Sequence, residues 1–275
     1  MSKVKIKIVS IGHLPLEFNP KKIRNFSSSL FEITGNIDNH ELRCDSDGTD
    51  WEFSDNLVIN QIPKVNGADF MIAIVNVPLE ANWYSRRLGN NQIAFTFYEI
   101  KEILNFSNIP LENVIHRLLI AYTFAYKRNN NKIPEFHEMT DFTHDETRGC
   151  IFDMNGIKSD LVASCHTPII CGECKEKLRR DRVSNNDIES AEKDIKKIQK
   201  DLYFRILEKV KRYPIWTLIL SSLFALLLGI IGSIAGSFIF DNLKSDESQQ
   251  RYITDDPTGQ PAATVEKTPE QQSTN

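Results

Sequence analysis

From Ile215 to Phe240 the chain reads IWTLILSSLFALLLGIIGSIAGSFIF, 26 residues without a charge. A helix of that length, at about 1.5 Å per residue, exceeds a ~30 Å hydrocarbon core, and one that is apolar on every side has no face to give to water. This predicts one transmembrane helix over 213–241, with Tyr213 and Trp216 placed as interfacial aromatics. Lys196, Lys197, Lys200, Arg205, Lys209, Lys211 and Arg212 come shortly before it, against Lys244 and Arg251 beyond. That excess of basic residues predicts a cytoplasmic N-terminal side and a C-terminal tail outside, at an inner or plasma membrane. The tail, 242–275, is acidic and polar without an apolar period, which predicts a disordered segment.

Inside the span, Gly232 and Gly236 form a Gly-x-x-x-Gly step with Gly229 nearby, a spacing that lets two helix backbones approach closely. Directly before the span, Asn186 to Arg212 carries Ile188, Ala191, Ile195, Ile198, Leu202, Ile206 and Val210 at steps of three or four. This predicts an amphipathic stalk over 185–212, capped by Ser184 or Asn185, whose stripe either seats on the preceding domain or pairs with another copy as a coiled coil. The glycines and the stripe together predict a homo-oligomer.

Residues 1–134 read as a mixed α/β domain. The first residues, MSKVKIKIVSIGH, alternate Lys with Val and Ile, which is a strand (Lys3 to Ile11) and not a signal peptide. Asn19 and Pro20 open a helix bearing Ile23, Phe26 and Leu30; Leu57 to Asn60 reads as a short strand. Ala68 to Val77 is nearly continuous apolar sequence, as expected of a central strand buried on both faces. Gln92 to Ile100 is a further strand, and Pro110 to Arg128 a strong helix with Val114, Leu118, Ala121, Tyr122 and Ala125 inward. A net charge of -4 offers nucleic acid no general attraction, so no nucleic-acid partner is expected.

Residues 135–180 are short of long apolar periods but rich in His, Asp and Cys. Cys171 and Cys174 form Cys-x-x-Cys, the spacing that turns two thiolates toward one ion in a zinc knuckle. Without an export signal the five cysteines are expected in a reducing compartment, where metal ligation is more common than disulfide formation. Cys150 and His144, about 20 residues upstream, are the best candidates for the other half, with Cys165, His166 and His137 as substitutes. Four such donors leave no position for water, so the Zn2+ would be structural. A redox role for Cys-x-x-Cys is disfavoured because no strand leads into it.

A catalytic reading is available in the same stretch. His137-Glu138-x-x-Asp141 has the outline of His-Glu-x-x-His, and a helix there would set His137, Asp141 and His144 on one face, with Glu138 as general base on a zinc-bound water. Thr140, Phe142 and Thr143 make that helix weak. Glu112 and His116, on the preceding helix, read as an ordinary surface i, i+4 contact.

From Ala68 to Leu178, the order of elements resembles the zincin fold, in particular the archaemetzincins. The most specific part is Cys150-Ile151-Phe152-Asp153-Met154 followed by Ile170-Cys171-Gly172-Glu173-Cys174, which is similar to the cysteine tail that holds that family's structural zinc. The family's long helix carries His-Glu-x-x-His with a Gly and a third His beyond; the corresponding helix here reads His116-Arg117-Leu118-Leu119-Ile120. The resemblance thus implies a zincin-like α/β fold with a structural zinc and a degenerate catalytic motif. The expectation is a membrane-anchored pseudo-peptidase-like module that binds a protein or small ligand and acts through its transmembrane helix, an arrangement comparable to bacterial stress or phage-defence effectors. The competing expectation is a membrane-anchored zinc peptidase.

Overall fold

Burial that alternates over Val4–Lys7 and is continuous over Ile8–Ile11, and again over Phe70–Val75, organises the N-terminal sheet in the computed structural model, which describes residues 3–64, 67–138 and 140–254, with side chains to residue 240. The chain divides into two compact units, Met1–Leu207 and Glu208–Asn275. The elements of the first are β1 (Val4–Ile11), α1 (Pro20–Arg24), β2 (Phe31–Ile33), β3 (Asp38–His40), α2 (Asp55–Gln61), β4 (Phe70–Val75), β5 (Ser85–Gly89) and β6 (Gln92–Thr96). There follow α3 (Ile100–Phe106), α4 (Glu112–Arg128), α5 (Leu161–His166), α6 (Gly172–Arg180), α7 (Asn185–Ile195) and α8 (Leu202–Arg212), which runs across the boundary.

The strand order is β2-β1-β4-β6-β5, with β3 also pairing β1; all neighbours are parallel except β5, which lies antiparallel to β6 at the edge. A parallel sheet must be covered on both faces. Ile6, Phe70, Ile72, Ile74 and Phe95 face the larger core with α4, while Val9, Met71, Ala73 and Val75 face a second core with Val58 of α2.

Three expectations in this region change. Leu57 to Asn60 is not a strand but lies within α2: Ser54 Oγ accepts the Leu57 N–H at 3.2 Å, an N-cap that overrides the β-prone Leu-Val-Ile run. The strand from Gln92 ends at Thr96, because Ile100 begins α3. The helix opened by Asn19 ends at Arg24, so Phe26 and Leu30 lie beyond it; Leu30 is buried at the approach to β2.

Helix α4 is buried on nearly all sides through its first half. Glu112 accepts the Asn19 N–H at 2.6 Å and pairs with Lys22 at 3.6 Å, tying α4 to α1. Tyr122 and Ser85 share a hydroxyl hydrogen bond of 2.8 Å, joining α4 to β5. Asn113 donates to the carbonyls of Cys165 and Gln199 at 2.8 and 3.1 Å, joining it to α5 and to the chain after α7. Glu112 and His116 are therefore not a surface pair, and His116 stacks on Phe26 with ring centroids 4.1 Å apart.

The amphipathic stretch is two helices, not one. Ser184 caps α7 through the Asp187 N–H at 3.1 Å, and Ile188, Ala191, Ile195 and Ile198 are buried against the domain. The break at 196–201 follows from burial of Ile198 and from the hold of Asn113 on the Gln199 carbonyl. Only Leu202, Ile206 and Val210 of the stripe are exposed, so a continuous coiled coil over 185–212 is not formed.

In the second unit, α9 runs from Pro214 to Thr254, and its Pro214–Phe240 part is long and apolar enough to cross a membrane. The helix passes the expected border of the tail at residue 242 and continues to Thr254; the remainder of the tail lies outside the described residues.

Burial depresses the pKa of His116 to about 4, partly opposed by a hydrogen bond to the Lys22 backbone, while the charge of Lys22 adds a smaller push downward. A group whose folded pKa is depressed lends stability that is present above its unfolded value, about 6.5, and lost as pH falls toward 4. His116→Leu is therefore expected to blunt the loss of stability between pH 6.5 and 4 by up to roughly 3 kcal/mol. Urea titrations of both proteins across that range measure it; parallel pH profiles would contradict it.

Candidate metal centre

The donor side chains come from three short pieces of chain held by backbone pairing. Cys150 forms an isolated parallel bridge with Ile169, in which Ile151 N–H donates to the Ile169 carbonyl and Ile169 N–H to the Gly149 carbonyl, each at 2.9 Å. Gly149 adopts φ 72°, a left-handed conformation that suits glycine and turns the chain into this bridge. His144 forms a second bridge with Asp153. Cys171 is the N-cap residue of α6, and Cys174 lies in its first turn, so the Cys-x-x-Cys pair sits at a helix N-terminus, where the dipole and free N–H groups favour thiolates.

The donor atoms of His144, Cys150, Cys171 and Cys174 all lie within 4.8 Å of one another. His144 Nε2 is 3.5 Å from Cys171 Sγ, and the Cys171 N–H points to Cys150 Sγ at 3.5 Å. A tetrahedral zinc, with ~2.3 Å bonds to sulfur and ~2.0 Å to nitrogen, sets such an S and N about 3.5 Å apart. The donor chemistry and the spacing both fit Zn2+ as a structural ion, with four protein ligands. Outside this group, His144 Nδ1 lies 3.0 Å from Asp153 Oδ1 and 3.2 Å from the Glu146 carbonyl. A proton on Nδ1 therefore leaves the Nε2 lone pair directed to the ion. Asp153 Oδ2 accepts the N–H groups of Arg148 and Cys150 at 3.0 and 2.9 Å, closing the turn that presents Cys150.

The electrostatics of the thiols agree with this assignment. Hydrogen bonding from Cys174, with further help from the Cys171 and Phe152 N–H groups, pulls the Cys150 thiol below its ordinary value in spite of burial. Cys174 is pushed up, chiefly because it faces Cys150 and secondarily by burial. One thiolate thus forms readily, and repulsion opposes the next. A divalent cation among the donors reverses that opposition, since it favours every deprotonated ligand at once.

The substitutes named from sequence fall elsewhere. Cys165 is fully buried in α5 with its pKa raised to about 12 by burial, and His166 ends that helix outside the group. His137 and Glu138 are exposed, and Glu138 accepts the Glu135 N–H at 2.9 Å. Asp141 is exposed and pairs with Lys177 at 3.5 Å and Arg180 at 3.6 Å. No helix is present among the described residues of 135–144, so the His-Glu-x-x-Asp face does not form. His144 belongs to the cysteine group instead. Sequence reading did not single out Asp153, although its place between Cys150 and the second histidine-bearing bridge makes it the residue that orients two ligands.

Replacing Cys174 by Ser is expected to lower bound zinc below one ion per chain and to reduce thermal stability, whereas Cys165→Ser should retain the ion. Asp153→Asn is expected to keep the fold and weaken zinc affinity about 10- to 100-fold. Metal analysis with competition against a chromogenic chelator reads both; an unchanged affinity in Asp153→Asn would remove its orienting role.

No protein-family model and no curated protein matches this chain. Among solved structures it is similar to the archaemetzincin of Methanopyrus kandleri, at 11% sequence identity and a TM-score of 0.36, over 66% of this chain and 96% of that one. The similarity is too low to carry an argument about activity.

Proposed function

We propose that this chain is a single-pass, membrane-anchored module whose zinc-clamped α/β domain faces the cytoplasm, receives a ligand or partner, and acts without catalysing hydrolysis. The observation that carries this reading is the set of four clustered donors: His144, Cys150, Cys171 and Cys174 would fill the tetrahedron of one zinc and leave no position on it for a reactive water. Helix α4 supports it further, because the face it turns to the neighbouring cleft offers Arg117, Leu118, Ala121 and Tyr122 in place of paired metal donors.

The long apolar part of α9 supports anchoring, and the basic residues between 195 and 214 support a cytoplasmic domain by the positive-inside rule. In this reading Gly229, Gly232 and Gly236 form the contact face between two copies of α9. A bare surface at each of them favours close packing, since an added Cβ meets nothing within 4 Å. The exposed Leu202, Ile206 and Val210 of α8 would extend that contact. Binding in the domain would then be communicated as a change in association of the helices.

Two measurements on the full-length chain test the reading. Metal analysis in detergent is expected to give one zinc per chain, with no peptide hydrolysis; a second ion, or cleavage that Glu138→Gln abolishes, would overturn the non-catalytic assignment. Crosslinking in membranes is expected to give a dimer or higher band that weakens in the Gly232→Ile, Gly236→Ile double variant. Unchanged bands would remove self-association from the proposal.

A further inference from the structure

A cavity of about 290 Å3 lies between the edge strand β5 and helix α4, at the lower end of the volumes that take small ligands. Leu118 and Ala121 of α4, with Phe136, Phe142 and Phe152, give it largely apolar walls. Arg117 also lines it, although the residue is only 1% exposed. Its Nη2 donates to the Asp153 carbonyl at 2.8 Å and its Nη1 to the Tyr84 hydroxyl at 3.5 Å, while Nε has no partner. Both partners are neutral oxygens.

The contrast with the adjacent Arg86 is informative. That side chain is also buried, but Asp55 meets its Nε at 2.8 Å and Glu80 lies 3.5 Å from Nη2. Arg87, a third arginine on the wall, donates to the carbonyls of Pro134 and Phe136 at 3.3 and 3.1 Å. The only carboxylate among the lining residues is Asp153, whose oxygens are turned to Arg148, Cys150 and His144 of the metal loop. The Asp153 carboxylate acts on Arg117 only through space, and a buried guanidinium with no anion hydrogen-bonded to it is costly, so a carboxylate or phosphate offers the charge-assisted partner it lacks.

We propose that this cavity binds a small molecule with one anionic group, carboxylate or phosphate, on an apolar body, and that Arg117 is the cation that receives it. The inference rests on the reading of the domain as a ligand-binding module and names the ligand's chemistry. The apolar walls take the body, and the unfilled side of the Arg117 fork takes the anion.

The test is calorimetric titration of the full-length protein in detergent with phenyl phosphate and with N-acetylphenylalanine, each beside its neutral counterpart, benzyl alcohol and N-acetylphenylalanine amide. The two anions separate a phosphorylated metabolite from a peptide C-terminus as the source of the group. At least one anion is expected to bind where its neutral counterpart does not. Arg117→Met should weaken it about 10- to 100-fold. Zinc content should stay unchanged in that variant, because Asn155 still donates to the Asp153 carbonyl at 2.8 Å. Ala121→Phe, which fills the cavity and leaves Arg117 in place, should abolish binding. Failure of both anions to bind, equal binding of the neutral compounds, or binding that survives Ala121→Phe would overturn the proposal. If Arg117→Met does not fold, Ala121→Phe decides alone. None of these results alters the zinc count or the crosslinking, so failure here is distinct from failure of the broader reading.

Discussion

Asp153 joins the parts of the domain that secondary structure leaves separate. Its Oδ2 draws the N–H groups of Arg148 and Cys150 into one turn, its Oδ1 faces the His144 ring at 3.0 Å, and its carbonyl receives Arg117 of α4 at 2.8 Å. A carboxylate this deeply buried resists ionisation, and burial does raise its pKa. The residue can remain there because its Oδ2 accepts two backbone N–H groups while the His144 ring lies beside Oδ1, and buried ionisable groups are ordinarily accommodated by such partners. Metal loop and central helix are thus parts of a single hydrogen-bonded arrangement.

That arrangement explains why residues 135–180 need an ion. Their regular structure amounts to α5, α6, a short helical turn over Lys158–Asp160 and isolated bridges, and their apolar contribution is concentrated in a few side chains such as Phe142, Ile151, Phe152, Leu161 and Leu178. Ordering a loop-rich segment costs about 1–2 kcal/mol per residue in backbone entropy. A structural zinc bound by cysteines and histidine supplies on the order of 10 kcal/mol in small domains. Aromatic contacts add direction: Phe142 packs on Phe152 at 4.0 Å and receives Arg128 of α4 at 4.1 Å. The metal donors and these rings thus belong to the same segment, since Phe152 lies in the turn that carries Cys150.

Sequence reading was strongest where one physical term dominates. The uncharged run in α9, the alternation of β1, the continuous burial of β4 and the long apolar helix α4 are each set by hydrophobic patterning alone. The Cys-x-x-Cys spacing pointed to a metal group, and of the upstream donors left open by the sequence, His144 and Cys150 are the two whose donor atoms come within 4.8 Å of those of Cys171 and Cys174. Elements decided by competition were harder to read. Leu57-Val58-Ile59 suggests a strand until Ser54 is recognised as a cap, and β5 is hidden because two of its residues are arginines, one of them buried against Asp55. The stripe through 188–210 keeps helical spacing across the break, so nothing local announces that Ile198 is anchored in the core while Leu202 is in the open. Arg117 was equally silent, since an arginine on a long helix normally reads as a solvent-facing residue.

A closed metal site and a cation-lined cavity lie on opposite sides of one residue, and their charges need opposite treatment. On the metal side, the first thiolate opposes ionisation of its neighbour, and a divalent cation would favour all the deprotonated ligands at once, so the site favours a filled state. On the cavity side, Arg117 holds positive charge beside neutral oxygens, so that site favours arrival of an anion. An occupant drawing Arg117 toward itself would pull against the Asp153 carbonyl, which Asn155 also holds at 2.8 Å. The metal loop is therefore buffered against events in the cavity, and a change there is more readily carried by α4, whose Lys127 and Arg128 pair with Asp187 of α7 and Asp181 beyond α6.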